Sequence, residues 1–272
     1  MTEKSERGGV QSVVVAATIL KALAAAGGEL PLKDVAAATG MPRAKVHRYL
    51  ASLRAAELIA QDPETGHYRI GSAAISIGLI GLGRTSPVRQ VQDALPRLRD
   101  AIGETVTAAI WGDRGPTIIA MEESDHVLTM NVRMGSTLPL LSSVIGHVFL
   151  AFMPEPMTQP LIAAERRSRS SGLPTRQELA TLLAEIRQQR VAWAHSPLLP
   201  GIDAIAAPVF DYRGKLAAVI CAVGRTEVMR TKATSPVVKS LDDAARALSR
   251  RLGHIEAPPE PQTEALTSKP AL

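Results

Sequence analysis

The sequence has little cysteine and few aromatic residues. Cys221 is its single cysteine in 272 residues, and Phe, Trp and Tyr together account for 3%. One cysteine cannot form an internal disulfide framework or a cysteine-built zinc site, and this usage is typical of proteins in the reducing cytoplasm. Cys221 itself is expected to be a small buried strand residue.

A long uninterrupted apolar run is missing as well. The stretch from Val13 to Ala26 resembles the apolar part of a signal peptide, but Lys21 interrupts it. It is also shorter than the roughly 20 residues that a membrane span requires. The pattern instead predicts an amphipathic helix that ends at Gly27-Gly28, and we expect neither export nor membrane insertion. The predicted core face consists of Val14, Ala17, Leu20 and Leu23.

Motifs of the common enzyme and cofactor sites are missing too. The sequence has no His-Glu-x-x-His, no Gly-x-Ser-x-Gly and no phosphate-binding loop. Ser143 and His147 fall on one helical face, where a helix cap and a surface residue are a simpler interpretation than a nucleophile and its base. We therefore expect no catalysis, no cofactor and no metal site.

Acidic residues are absent from one short stretch that is rich in basic ones. The whole chain carries a formal net charge of only +5, so the location of its basic residues matters more than their total. From Met41 to Leu53 there is no Asp or Glu, and the basic residues fall mostly on one helical face. The opposite, apolar face is formed by Val46, Tyr49, Leu50 and Leu53.

A shorter helix is predicted immediately before this basic one. Leu32 and Val35 recur at helical spacing, Thr39-Gly40 ends the helix, and Pro42 suits the first turn of the next. Two helices joined by a tight corner predict a helix-turn-helix, in which the second helix lies in the DNA major groove. The alternative is a surface helix with solvated basic residues.

The segment from Ile59 to Ile70 predicts a β-hairpin, with Asp62-Pro63 and Gly66 at its turn. A hairpin that follows a recognition helix is a wing. Arg54, near the end of that helix, either contacts the DNA backbone or is solvated. The DNA-contacting residues are predicted to be Arg43, Ala44, Lys45, His47 and Arg48 in the helix, and His67 and Arg69 in the wing.

These segments resemble the IclR family of bacterial transcriptional regulators. The resemblance covers about Gln11 to Leu252 and rests on Gln11-Ser12 and on residues 42–50, 62–71, 133–140 and 204–211. It implies an α+β chain: an N-terminal winged helix-turn-helix, a linker helix that contributes to dimer contacts, and a C-terminal GAF-like α/β sandwich with an antiparallel sheet.

The expected domain organisation follows from this resemblance and from composition. We expect disordered ends at residues 1–9 and 256–272, a DNA-binding domain at 10–72, a linker helix at 73–87 and an effector-binding domain at 88–255. The apolar helix from Ala73 to Gly83 is too apolar to be solvated, so it is expected to pack against a second copy in a homodimer or tetramer. Packing within its own chain is the alternative.

The C-terminal half mixes helix and strand patterns. The predicted helices are Val88–Ile102, Ser143–Phe152, Thr175–Gln189 and Ser235–Leu252. The predicted strands are Thr105–Trp111, Thr117–Met121, Val127–Val132, Val191–Ala194, Ala204–Phe210 and Lys215–Val223. Strands joined by tight turns and interleaved with helices predict an α/β sandwich with an antiparallel sheet.

The resemblance also implies an effector pocket between the sheet and the helix after Pro139. The implied positions are Leu141, Ser142, Ser143, Ile145, Gly146, Trp193, His195, Ala204, Cys221 and Val223, and Met134 is expected to add contact area. The acids, the histidine and the small polar residues that the family often has near Ala194, Pro197, Leu141, Ala204 and Val223 are absent. Burying a small carboxylate without polar partners is unfavourable, so we expect a larger, mainly apolar or aromatic effector, or else a filled pocket without ligand sensing.

The expected function is ligand-modulated binding to a palindromic double-stranded DNA operator. The same device serves a repressor or an activator, because the effector changes DNA affinity through its preference for one arrangement of the dimer. The rival interpretation is a regulator that binds DNA independently of any ligand.

Overall fold

The computed structural model describes residues 10–83, 86–125, 132–168, 172–195, 201–229 and 235–256. They form two compact units that divide between residues 84 and 85. The expected disordered segment 1–9 lies outside the described residues, as do all but Glu256 of the expected segment 256–272 and all but Val132 of the expected strand Val127–Val132. Among the described helices, none combines the length and the hydropathy needed to cross a membrane.

The first unit is a winged helix-turn-helix followed by a helix. Its elements are α1 (Gln11–Ala25), α2 (Leu32–Thr39), α3 (Arg43–Ala55), β1 (Ile59–Gln61), β2 (Tyr68–Ile70) and α4 (Ser72–Gly83). The two strands pair antiparallel, with Ala60 opposite Arg69. The core contains one residue from each strand and the inner faces of the first three helices: Val15, Ile19, Leu23, Val35, Ala36, Val46, Leu50, Leu53, Ile59 and Tyr68.

The core face of α1 is shifted along the helix relative to the predicted face, and of the predicted residues only Leu23 is fully buried. Val15, Ile19 and Leu23 are buried, whereas Val14, which was expected in the core, is 56% exposed. Apolar residues occupy almost every position from Val13 to Leu20, so helical periodicity does not choose between adjacent faces. The contacts of α1 with α2 and α3 make that choice.

The second unit is built on one antiparallel sheet with the strand order β4-β3-β7-β6-β5. Its strands are β3 (Thr105–Gly112), β4 (Gly115–Glu122), β5 (Ala192–His195), β6 (Ile202–Phe210) and β7 (Leu216–Arg225). Its helices are α5 (Pro87–Ile102), α6 (Val144–Phe152), α7 (Glu155–Ser168), α8 (Arg176–Gln189), α9 (Thr226–Met229) and α10 (Pro236–Arg251). The predicted mixed fold with an antiparallel sheet is confirmed.

Each face of this sheet is covered by a different helical layer. Helices α5 and α10 pack on one face, and α6 packs on the other together with α8. Successive residues of a strand point to opposite faces, so Ile220 lies in the α5/α10 core and Cys221 in the α6 core. The sheet therefore separates two apolar cores.

Helix α7 was not predicted. Proline has no amide hydrogen and breaks helical patterns, and Pro156 and Pro160 both lie within this segment. The helix nevertheless spans Glu155–Ser168, with Pro156 in its first turn, where a missing amide hydrogen has no consequence. This helix proves important for the candidate effector region.

Candidate DNA-binding surface and effector region

The corner between α2 and α3 is built by Gly40 and Pro42. Gly40 has a φ of +64° and ends α2 in the left-handed conformation, where its amide donates to the carbonyls of Ala36 and Ala37. The Pro42 carbonyl then accepts from the amides of Lys45 and Val46 at 2.9 and 3.1 Å, which starts α3. This geometry confirms the helix-turn-helix.

Helix α3 has one buried face and one exposed face. Val46, Leu50 and Leu53 are buried, whereas the predicted DNA-contacting residues are exposed, except for the half-buried Lys45. The first turn of α3 contains no acid, so the positive end of the helix dipole adds to its basic side chains. In the part of the chain that the structure describes, the side chains of Arg43, Lys45 and Arg48 make no hydrogen bond or ion pair.

The wing turn is organised by Asp62. Its Oδ1 accepts from the amide of Thr65 at 2.7 Å, from the Thr65 hydroxyl at 3.0 Å and from the amide of Glu64 at 3.0 Å. The hydrogen bonds from Thr65 lower the pKa of the Asp62 carboxyl. Gly66, with a φ of +71°, completes the turn. The predicted hairpin is therefore confirmed.

The two predicted wing residues differ in their surroundings. The Arg69 guanidinium lies 3.2 Å from the Glu29 carboxylate, so part of its charge is already paired within the first unit. His67 is half-buried, and its carbonyl accepts from the amide of Asp62 at 2.8 Å. Sequence inspection could not pair Arg69 with Glu29, because the two residues are 40 positions apart.

Arg54 is neither free nor simply solvated. Its Nη1 donates to Oε1 of Gln61 on β1 at 2.8 Å, and Nε2 of the same Gln61 donates to the Gly66 carbonyl at 3.1 Å. A chain of hydrogen bonds thus connects the last turn of α3 to the turn of the wing. Arg54 fixes the wing relative to the helix, a role that sequence reasoning missed.

Helix α4 exposes most of its apolar side chains. Ile75, Ile77, Leu79 and Ile80 are 52% to 66% exposed. No charged residue occurs from Ser72 to Gly83, so the exposed surface is uncharged and mostly apolar. Within the first unit, the described residues therefore do not bury this helix.

The structure brings together five of the predicted effector positions on the α6 face of the sheet. Leu141, Ile145 and Cys221 are buried members of one apolar cluster, and Ala204 and Val223 pack against it. Gly146 is also buried, and it packs so closely on the preceding segment that a Cβ there would clash with the Pro139 carbonyl oxygen. These residues come from the segment before α6, from α6 itself and from two strands.

Three predicted effector positions do not join this cluster. The Trp193 side chain packs in the α5/α10 core on the other face, because its neighbours Ala192 and Ala194 face α6 and strand residues alternate. Met134 is 70% exposed. The backbone of His195 pairs with Asp203, and its side chain lies outside what the structure describes.

The two serines predicted for the pocket already have hydrogen-bond partners in the protein. The Ser143 hydroxyl donates to the Pro139 carbonyl at 2.6 Å and accepts from the amide of Gly146 at 2.9 Å, so it caps α6. The Ser142 hydroxyl donates to Oε1 of Glu165 at 3.3 Å. Ser142 and Ser143 thus serve the protein itself, and that they also orient a ligand stays a prediction.

Burial shifts the pKa values of two titratable groups in this region, Cys221 and His147. Burial raises the pKa of the Cys221 thiol to about 12, so this thiol stays protonated and is a poor nucleophile. Burial also lowers the pKa of His147, although its contact with the Leu141 carbonyl and the nearby Glu165 carboxylate act in the opposite direction. Its Nε2 lies 3.0 Å from that carbonyl, and the residue is half-buried. His147 is therefore not the surface residue that the sequence predicted.

Comparison with known proteins agrees with both units. Residues 12–63 match the IclR helix-turn-helix domain, and residues 82–250 match the bacterial transcriptional regulator IclR C-terminal family. The chain is 31% identical over 211 residues to the probable transcriptional regulator SauR of Cupriavidus necator, covering 77% of this chain and 84% of SauR.

Solved structures show the same fold. Pseudomonas aeruginosa HmgR superposes with a TM-score of 0.76 at 37% identity, covering 90% of this chain and 99% of HmgR. An IclR homologue from Microbacterium hydrocarbonoxydans, solved in complex with 4-hydroxybenzoate, has a TM-score of 0.50 at 19% identity and covers 89% of this chain and 98% of its own. The chain belongs to the IclR family of bacterial transcriptional regulators. The family assignment makes it a DNA-binding regulator and not an enzyme, as predicted.

Proposed function

We propose that this regulator acts in the cytoplasm as a homodimer or a homotetramer, and binds a palindromic operator through α3 and the wing. The exposed cationic face of α3 supports this most directly, because its basic side chains have no acid beside them. Arg43, Lys45 and Arg48 bind phosphates and base edges, with His47 and Ala44 facing the groove. His67 and Arg69 add contacts from the wing.

Dimerisation through α4 follows from its apolar surface. A helix with four large side chains more than half exposed and no charge is unfavourable in water. A symmetric dimer buries this surface and presents two copies of α3. Those helices reach successive major grooves when they lie about 34 Å apart, or at a multiple of that distance, which requires a palindromic site.

The C-terminal unit is proposed to bind a mainly apolar or aromatic metabolite beside α6. The cluster around Leu141, Ile145 and Cys221 is apolar, and the serines next to it have protein partners. The complex of the Microbacterium hydrocarbonoxydans homologue with 4-hydroxybenzoate supports an aromatic ligand class in this fold. The effector changes DNA affinity only as far as it prefers one arrangement of the two units.

A ligand-independent regulator is the second candidate. Leu141 and Ile145 are buried in one cluster with Cys221 of β7. This favours the second candidate, because side chains can fill such a region completely. A thermal-shift screen of uncharged aromatic compounds against their carboxylates separates the two candidates, since any bound ligand stabilises the folded state. An effector raises Tm and changes operator affinity, whereas a filled core responds to neither series.

The DNA-binding proposal is tested by selecting sites from random DNA and measuring affinity against salt. With about four phosphate contacts per protomer, the log-log slope of a dimer is about −7. Replacing both Lys45 and Arg48 with Ala removes up to four contacts per dimer and moves the slope to about −4. Lys239→Ala, an exposed change on α10, is the matched control. An unchanged slope and operator affinity in the double variant would mean that α3 does not contact DNA.

A further inference from the structure

The segment before α6 is anchored on two sides by different kinds of group. Its carbonyls face α6: the Pro139 carbonyl accepts from the Ser143 hydroxyl at 2.6 Å, and the Leu141 carbonyl lies 3.0 Å from Nε2 of His147. Its amides face α7. Those of Leu140 and Leu141 donate to one oxygen, Oε2 of Glu165, at 2.8 and 3.0 Å.

Two consecutive amides that converge on one oxygen form an anion-binding arrangement. The Ser142 hydroxyl adds a third donor, at 3.3 Å from Oε1 of the same carboxylate. Leu140 and Leu141 are almost completely buried in the intact protein, so their amides depend on an acceptor from the protein. A carboxylate suits this geometry, because a charged acceptor forms stronger bonds with amides than a neutral one does.

We propose that the amides of Leu140 and Leu141 and the Ser142 hydroxyl form a carboxylate-binding niche that the chain fills with its own Glu165. The niche binds carboxylates as a class, and Glu165 occupies it because α7 holds that side chain beside it. Glu165 is a positioning residue for the segment that leads into α6. A role of Glu165 in shaping an effector pocket rests on the proposed function. The carboxylate-binding niche itself does not.

The consequence is that a free carboxylate can replace a missing side chain. Glu165 is only half-buried, so its truncation opens a path from solvent to the amides. In Glu165→Ala, both amides lose their acceptor, and we expect Tm to fall by at least about 4 °C. Acetate that binds at the two amides in the folded state, but not to the unfolded chain, then raises Tm.

The experiment measures Tm of the full-length wild-type chain, Glu165→Ala and Glu155→Ala in acetate, acetamide and sodium chloride, each at 50 mM and pH 7. Glu155 lies on the same helix, and among the described residues its carboxylate accepts only from the exposed Gln159 side chain. We expect acetate to restore at least half of the lost Tm in Glu165→Ala and to leave the other two proteins unchanged. Acetamide has the same shape without the charge, and we expect no recovery from it or from chloride.

The proposal is overturned if Glu165→Ala keeps the wild-type Tm, or if acetate acts equally on all three proteins or no better than acetamide. Should Glu165→Ala fail to fold, its soluble yield on refolding with and without 50 mM acetate gives the answer. A higher yield with acetate supports the niche, and equal yields overturn it. Neither DNA nor an effector is present, so failure here leaves the DNA-binding function untouched.

Discussion

The exposed face of α3 and the segment before α6 both carry polar groups that the sequence marks as ligand-binding, yet the structure treats them differently. On α3, the predicted cationic side chains point outward without partners in the described chain. Before α6, both predicted hydroxyls are used by the protein itself. Polar groups remain available where solvent satisfies them, and burial forces them to find internal partners.

The largest effect is expected at α4, which is exposed like the outer face of α3 and lies in the same unit. Replacing both Ile77 and Ile80 with Glu places charges on the apolar surface and should convert the proposed dimer to a monomer. Operator affinity should then fall more than about 100-fold, because half of the phosphate contacts are lost. Analytical ultracentrifugation and a DNA-binding titration check this.

The matched control is the replacement of Arg89 and Gln90, exposed and half-buried residues of α5, with Glu. A double α4 variant that remains dimeric would show that this helix does not form the dimer interface.

The packing of the buried segment before α6 is tested most strongly by a substitution at Gly146. A Cβ at this position would clash with the Pro139 carbonyl oxygen and lie 2.6 Å from Cα of Leu140. Gly146→Ala should therefore destabilise the C-terminal unit by about 1–3 kcal/mol through overpacking. Calorimetry measures this as a lower Tm, with Gly172→Ala as the contrasting variant: there the φ of +78° strains the backbone, but no atom lies in the way. A fully stable Gly146→Ala would mean that the segment does not pack on α6 as described.

A smaller effect is expected at Arg54, which connects helix and wing. Arg54→Ala breaks the hydrogen bond to Gln61 and frees the wing, so operator affinity should fall about 3- to 10-fold, the equivalent of one or two hydrogen bonds. Gln61→Ala removes the same connection without removing a charge. If Gln61→Ala binds DNA like the wild type while Arg54→Ala does not, Arg54 acts through phosphate and not through the wing.

The pH dependence of stability tests the buried His147. Its pKa is lowered in the folded state, so below about pH 6.5 the unfolded chain binds a proton that the folded chain does not. The stabilising contribution is complete above that pH and decreases as pH falls through the folded-state pKa. Urea unfolding at pH 7.5 and pH 5.5 should show a loss for the wild type that is smaller in His147→Gln. Equal losses would place the titrating group elsewhere.

The smallest expected effect has the opposite sign. Glu29→Ala removes the partner of Arg69, so the freed guanidinium and the lost negative charge should raise DNA affinity about 2- to 3-fold at low salt. Asp34→Ala, an exposed acid on α2, tests whether removing any nearby acid has the same effect. Equal gains from both variants would make the Arg69 pairing irrelevant to DNA binding.

Much of the first unit could be predicted because its determinants are local. The corner needs a glycine at Gly40 and a proline at Pro42, and the wing needs Asp62 and Gly66, all of which act within a few residues. The exposed apolar surface of α4 was also predictable from its lack of charge. What could not be predicted is which acid pairs with Arg69, or that Arg54 reaches Gln61.

Less of the candidate effector region could be predicted. Leu141, Ile145 and Cys221 do meet on one face of the sheet, but Trp193 lies on the other, because its side is set by the register of β5 on β6. Glu165 was missed for a double reason. Its helix contains prolines that mask the helical pattern, and its partners are 23 to 25 residues away in the chain.

The sequence alone determined the winged helix-turn-helix, the basic face of α3 and the antiparallel sheet, because turn residues, helical spacing and strand alternation act over short distances. Only the tertiary structure decided which polar groups stay available. Whether a hydroxyl, a carboxylate or a guanidinium is free depends on what burial brings beside it, and those neighbours come from distant parts of the chain.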